Sequence, residues 1–124
     1  MSTFIKRETR REIHILGQSY TVDFGRDAIA LIFRRVQGEL EQIEKKYSDH
    51  LGQPQPFIEM QLQEKAVLKR AIEEILGCLD ENNTFLQGED TIVLHRDIYT
   101  YLVEEYIDVM RKKSPYDVER IEGL

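Results

Sequence analysis

The hydrophobic pattern of the chain changes its period near residue 25. In Ser19–Phe24 apolar and polar residues alternate, as is typical of a half-buried strand. Glu12–Leu16, whose alternation is less regular, is interpreted as the partner strand. Gly17 can supply the positive φ that a tight turn at Gly17-Gln18 requires. The pattern therefore predicts an N-terminal β-hairpin.

After the hairpin, apolar residues recur at steps of three or four and predict amphipathic helices over Arg26–Tyr47, Phe57–Leu79 and Arg96–Lys113. We interpret Ser48–Pro56, which contains Pro and Gly, as a loop within one domain. Thr84–Leu94 leaves two interpretations open, short extended pieces or a loop packed under the helices. Because an isolated hairpin is marginal and a helix needs a partner for its apolar face, these elements must pack on one another or on another chain.

These elements predict an α+β, mostly helical fold in which an N-terminal β-hairpin packs against about three amphipathic helices. The 124 residues allow one domain with a modest core. We place this domain at 12–113, after a basic arm at 1–11 and before a tail at 114–124. The arm could dock on an acidic partner or on nucleic acid, but short charged termini are more often simply solvated.

Composition and charge exclude several classes of function. The chain is 41% hydrophobic and 32% charged, which is typical of a globular protein. Its net charge of -6 argues against a general nucleic-acid or anionic-membrane partner. A single cysteine, Cys78, excludes an internal disulfide and fits a reducing compartment. No apolar run approaches membrane-spanning length, and Lys6 and Arg7 interrupt any signal-peptide pattern, so we expect an intracellular protein.

The chain offers no constellation of residues for catalysis. Asp23-Phe24-Gly25 and His95-Arg96-Asp97 repeat the letters of protein-kinase motifs, but in the wrong order and without a Gly-rich loop. His14, His50 and His95 lie on different elements and have no His or Cys three or four residues onward. We therefore expect surface or strand histidines, no metal site and no cofactor. A hydrolase that uses Cys78 with a histidine is the weakest alternative, and the sequence favours a non-catalytic binding protein.

The apolar helix faces supply the candidate partner-binding residues. Tyr101 lies off the inward stripe of the third helix, and exposed tyrosines are enriched at interfaces. An equally open interpretation is that Tyr101 packs against Thr84–Leu94. The candidate partner-binding residues are Phe33, Val36, Leu40, Tyr101 and Leu102.

The order of these features resembles a known family. Ile13–Gly25 reads as a short strand, a Gly-containing turn, an aromatic residue and an Asp-Phe-Gly ahead of a long Glu/Lys-rich helix. Glu73–Gly77 and the stretch from Phe85 to Met110 continue the same pattern. This resembles the small tail assembly chaperones of long-tailed phages and prophages of Gram-positive bacteria. The likeness covers about Glu12 to Lys113, as a pattern of elements rather than one diagnostic motif.

The resemblance implies a function. Proteins of this family bind and solubilise the aggregation-prone tape measure protein during tail assembly, in the cytoplasm of the host cell, without a catalytic group or cofactor. Many are also made in a longer form by a ribosomal frameshift. The alternative is a small phage structural or regulatory module without catalytic activity, which would form homo-oligomers through the Ile29–Tyr47 stripe.

Overall fold

The computed structural model describes residues 2–50, 52–77, 90–112 and 116. It confirms the α+β, mostly helical fold with an N-terminal hairpin followed by three helices. The elements are β1 (Arg10–Ile15), β2 (Gln18–Asp23), α1 (Asp27–Tyr47), a 3₁₀ turn (Ser48–His50), α2 (Pro54–Leu76) and α3 (Ile92–Arg111).

The hairpin pairs β1 and β2 antiparallel across a two-residue turn at Leu16-Gly17. Both turn residues have positive φ, 50° and 81°, as a type I′ turn requires. The predicted turn at Gly17-Gln18 is therefore wrong by one residue. The observed register places Ile13 and Ile15 on the same buried face, whereas a slip of one residue would turn them to solvent.

The helix α1 ends at Tyr47 as predicted and begins one residue late, whereas α2 and α3 begin earlier than predicted. Pro54, at the first helical position, starts α2 three residues early, and Gly77 ends it in the left-handed conformation. The side chain of Thr91 caps α3 by accepting a hydrogen bond from the Leu94 amide at 3.1 Å.

Residues 92–94 are therefore helical, and an extended interpretation of them is wrong. The rest of the ambiguous segment, 84–89, lies outside the described residues, as do Cys78, Leu79 and all of the predicted tail except Tyr116.

The three helices and the hairpin enclose two neighbouring clusters of buried apolar side chains, a larger one that includes the hairpin and a smaller one between α1 and α2. α1 runs antiparallel to α2, because Arg35 bonds Glu74 at 2.7 Å while Tyr47 bonds Gln63 at 2.7 Å. α3 starts beside the middle of α2 and runs in the same direction. Among the described residues the largest fully buried side chains are Phe24, Ile13, Ile72, Leu102, His95, Val36 and Val109.

Three of the four basic residues of the predicted arm, Arg7, Arg10 and Arg11, are bonded within the chain rather than simply solvated. Arg11, in β1, forms ion pairs with Glu105 at 2.9 Å and Asp108 at 2.5 Å, both on α3. Arg7 donates a hydrogen bond to the carbonyl oxygen of Val109. These bonds attach the hairpin to α3. Among the described residues, no helix is long and apolar enough to cross a membrane.

Candidate functional site

A groove lined mostly by apolar side chains runs between α1 and α3. Its volume is about 430 Å³, and we call it the α1/α3 groove. Both helices pack against α2, which leaves their outer edges to form its walls. The groove is lined by Phe33, Val36, Gln37 and Leu40 from α1 and by Tyr99, Val103, Tyr106 and Ile107 from α3.

Aromatic rings join the two walls. The Phe33 ring lies 4.9 Å from the Tyr106 ring and 5.8 Å from the Tyr99 ring, centroid to centroid, in tilted arrangements. Burial raises the pKa of the Tyr99 hydroxyl above its usual value. These contacts hold α1 and α3 at a fixed spacing and give the groove an apolar base.

A second groove continues from the first along α1. Its volume is about 640 Å³, and the Leu40 side chain lines both cavities. At its base the Arg96 guanidinium donates to the Glu64 carboxylate at 2.6 Å, and only 8% of Glu64 is exposed. This pair therefore neutralises two of the three charges that line the second groove. The second groove is lined by Leu40, Glu44, Ser48, Phe57, Met60, Glu64 and Arg96.

The α1 residues of both grooves form one stripe. They recur at positions 33, 36, 37, 40 and 44, which lie on a single helix face, and Ser48 in the following 3₁₀ turn extends the same line. The two cavities are therefore one continuous surface, which we call the combined groove. An amphipathic helix that docks in such a groove contacts it through apolar residues at the same spacing.

The structure brings together three of the five predicted binding residues. Phe33, Val36 and Leu40 all line the α1/α3 groove. Leu102 is 0% exposed and lines neither groove. Val36 is equally buried, so it supports the groove from beneath and offers a partner no exposed surface in this structure. Tyr101 is half-buried against the core and lines neither groove.

Sequence reasoning missed the α3 wall of the groove. On this helix Ile98 and Leu102 face the core, while Tyr99, Val103 and Tyr106 form a second apolar stripe beside them. Together the two stripes cover more of the surface of α3 than packing against the core alone would bury. That width is the signal in the sequence that could have identified the second wall.

His95 is also placed differently from the surface or strand position expected of it. The side chain is fully buried, and its Nδ1 donates to the Thr91 carbonyl oxygen at 2.6 Å. Its Nε2 lies 3.6 Å from the Asp90 carboxylate and has no hydrogen-bond partner in the described part of the chain. His14 and His50 are exposed.

The described ranges contain no group of three His, Cys, Asp or Glu side chains that could hold a metal ion. Comparison with protein-family models, with curated proteins and with solved structures gives no match. The arguments about function therefore rest on the combined groove and on the sequence pattern.

Proposed function

We propose that this protein is a tail assembly chaperone of a long-tailed phage or prophage of Gram-positive bacteria. It binds an apolar helical stretch of the tape measure protein in the host cytoplasm and keeps it soluble until the tail assembles around it. The observation that carries this proposal is the combined groove, whose α1 wall repeats at helical spacing. The resemblance of Ile13–Gly25 to the family supplies the identity of the partner.

The physical requirements of such a chaperone agree with the groove. A long helix with an uncovered apolar stripe aggregates in water, and a groove that covers the stripe removes that surface from other chains. In the α1/α3 groove Ile107 is 38% exposed, and Phe33 and Leu40 are half-buried. The net charge of -6 favours the solubility of the chaperone itself.

The alternative of self-association through the Ile29–Tyr47 stripe has less surface to use. Within this stripe Ile29, Val36 and Tyr47 are buried inside the chain itself. Ile32, Leu40 and Ile43 are half-buried, and of these three only Leu40 lines a groove. A second copy would therefore find little of this stripe accessible.

The proposal is tested by co-expression with the long, helix-rich reading frame expected beside this gene. Ile107→Asp and Leu40→Asp each place a carboxylate on the groove surface. We expect the soluble fraction of the tape measure protein to fall by at least about tenfold, because a buried unpaired charge opposes docking. The measurement is the amount of tape measure protein in the supernatant after centrifugation.

Leu31→Asp is the matched control, because Leu31 lies on the same helix, is 61% exposed and lines neither groove. This variant should solubilise the partner as well as the unmodified chain does. Circular dichroism establishes that all three variants remain folded. A gene flanked by no tail genes, or full solubilisation by both groove variants, would refute the proposal.

A further inference from the structure

We propose that copies of this chain associate through two different surfaces, with Phe4 and Ile5 of one copy bound in the second groove of another. This contact uses the N-terminal arm and not the face of the Ile29–Tyr47 stripe. It does not depend on the proposed function, because both surfaces belong to this chain. An exposed apolar patch, an apolar groove and a pair of opposite charges carry the inference.

The two ends of the chain form an exposed apolar patch. Phe4 is 78% exposed and Ile5 is 59% exposed. The Phe4 and Tyr116 rings are stacked with their centroids 5.5 Å apart, and the Ile5 amide donates to the Tyr116 hydroxyl oxygen at 2.8 Å. We call these three residues the terminal patch. An ordered apolar patch that faces solvent is typical of a protein interaction surface.

The second groove offers the terminal patch a complementary apolar surface. Phe57 is 40% exposed there and lies beside Leu40 and Met60. The groove volume of about 640 Å³ is within the range of ~300 to 1,000 Å³ that is typical of ligand pockets. The groove can therefore hold the side chains of Phe4 and Ile5, and their burial would remove apolar surface from water.

Opposite charges lie beside the two surfaces. Lys6 follows the patch residues directly and Glu44 lines the groove, and within the described residues neither has an ion pair or a hydrogen bond. Asp23, which attracts Lys6, already accepts two hydrogen bonds. Glu64 and Arg96, the other charges of the groove, neutralise each other. Lys6 of one copy and Glu44 of the other therefore complement each other across the contact.

A single copy cannot fill its own groove. Arg7 donates to the carbonyl oxygen of Val109 and so holds the terminal patch at the C-terminal end of α3. The groove lies at the other end, where Arg96 lines it, about 20 Å along the helix from Val109. Phe4 is only three residues from Arg7, a reach of at most about 11 Å. The occupant is therefore another copy, in a reciprocal pair, a ring or an open chain.

Sedimentation velocity of the full chain over a wide concentration range tests the contact. We expect the average mass to rise with concentration. Phe4→Asp and Phe57→Asp should each raise the dissociation constant by at least about tenfold, because each would bury an unpaired carboxylate. Leu31→Asp and Ile58→Asp are the matched controls, because both residues are exposed and lie outside the patch and the groove. Circular dichroism establishes that all four variants are folded.

An equimolar mixture of Phe4→Asp and Phe57→Asp shows whether the two surfaces pair with each other. The first variant keeps an intact groove, and the second keeps an intact patch. We expect the mixture to form a one-to-one dimer at concentrations at which each variant alone is monomeric. If patch paired with patch, or groove with groove, only one of the two substitutions would abolish association.

Exchange of the two charges tests how the contact is aligned. Lys6→Glu and Glu44→Lys should each weaken association by about three- to tenfold. A chain with both changes keeps the net charge of -6 and should recover most of the loss. Lys45→Glu is the control, because Lys45 lies next to Glu44 in the sequence but lines neither groove, and it should leave association nearly unchanged.

A chain that stays monomeric at every concentration overturns the inference. So does association that survives Phe4→Asp or Phe57→Asp, or a mixture of these two variants that stays monomeric. If copies associate in this way but the tape measure protein remains insoluble on co-expression, the proposed function fails and the inference stands. If a strictly monomeric chain solubilises the tape measure protein, the inference alone fails.

Discussion

At the scale of single residues, the junction between the hairpin and α1 explains the Asp23-Phe24-Gly25 sequence without any catalytic role. The Asp23 carboxylate accepts hydrogen bonds from Thr9 Oγ1 at 2.6 Å and from the Gly25 amide at 3.0 Å. Phe24 is fully buried in the core. Gly25 lies so close to Thr9 that a Cβ there would be 2.5 Å from Thr9 Oγ1. Each of the three residues therefore has a structural reason for its position.

Gly25→Ala is expected to lower the free energy of unfolding by about 1 to 3 kcal/mol, because the added methyl group displaces Thr9 and disturbs its bond to Asp23. The matched control is Gly38→Ala in α1, where a Cβ would meet nothing within 4 Å. That change should raise the free energy of unfolding by about 0.5 to 1 kcal/mol. Urea unfolding measures both, and a neutral Gly25→Ala would show that Thr9 moves aside without cost.

The spacing of the apolar residues predicted which helix faces are buried, but it did not predict which polar side chain is buried with them. Ile72 and Leu102 lie on the predicted stripes and are buried. His95 was not expected in the core, because its burial depends on a bond to the Thr91 carbonyl oxygen that forms only when α3 starts at residue 92. A pattern of apolar letters contains no information about such a bond.

At the scale of elements, the hairpin turn contains an unfavourable residue. Leu16 adopts φ 50°, a conformation that non-glycine residues rarely adopt, and 54% of it is exposed. The type I′ turn is the one for which Asn-Gly is the preferred pair, and Gly17 already occupies the second position. Leu16 thus costs backbone free energy without burying much apolar surface in return.

Leu16→Asn is therefore expected to stabilise the protein by up to about 1 kcal/mol, because Asn tolerates positive φ. The same change at Leu31, an exposed position of α1, should destabilise by about 0.5 kcal/mol because Asn is a poorer helix former than Leu. Thermal unfolding followed by circular dichroism compares the two. A lower melting temperature for Leu16→Asn would contradict the turn assignment.

The sequence predicted whether most elements are helices or strands, but it predicted less well the residues at which they begin and end. The apolar stripe of α1 predicted that helix to within one residue at its start and at its end. The β-branched pair Ile92-Val93 is typical of a strand. These residues are helical in the structure because the Thr91 side chain caps the start of α3. The strand propensity of this pair opposes the helix cap, and the cap decides that the pair is helical.

At the scale of the whole molecule, ion pairs and hydrogen bonds hold the elements together and lower the pKa of several carboxyl groups. The hydrogen bond from Arg11 lowers the pKa of Asp108, and that from Thr9 lowers the pKa of Asp23. Burial alone would raise the pKa of Glu74, but hydrogen bonds from Arg35 and Arg70 outweigh it, so this pKa is also lowered. Arg10 lowers the pKa of Glu8 to about 2.

These shifts predict acid sensitivity. A carboxyl group whose pKa is lower in the folded chain stabilises it above the unfolded pKa, 3.8 for Asp and 4.5 for Glu, and loses that contribution as the pH falls through the folded pKa. The free energy of unfolding should therefore fall between about pH 5 and pH 2. Arg11→Met should make this dependence shallower, whereas Arg34→Met, at an exposed residue without an ion pair in the described ranges, should not. Urea unfolding at a series of pH values measures it, and equal slopes for both variants would contradict the role of Arg11.

Three of the five predicted binding residues line the α1/α3 groove, and the reason why the other two do not belongs to the whole molecule. Phe33, Val36 and Leu40 lie on one helix, so their spacing alone placed them on one surface. Which face of α3 completes the groove depends on how α2 sets the rotation of α3 relative to α1. That rotation is decided by packing among three helices, so Tyr101 and Leu102 were chosen where Tyr99 and Val103 form the wall.

Because the two walls of the combined groove come from distant parts of the chain, the protein becomes competent to bind only late in its own synthesis. The α1 wall ends at Ser48, and the α3 wall is complete only at Ile107, roughly 60 residues later. A ribosome that adds about 5 to 20 residues per second needs ~3 to 12 s for that interval. During this time the apolar stripe of α1 depends on α2 alone for cover. A nascent chain stalled before α3 is therefore expected to aggregate or recruit general chaperones, while a completed chain does neither.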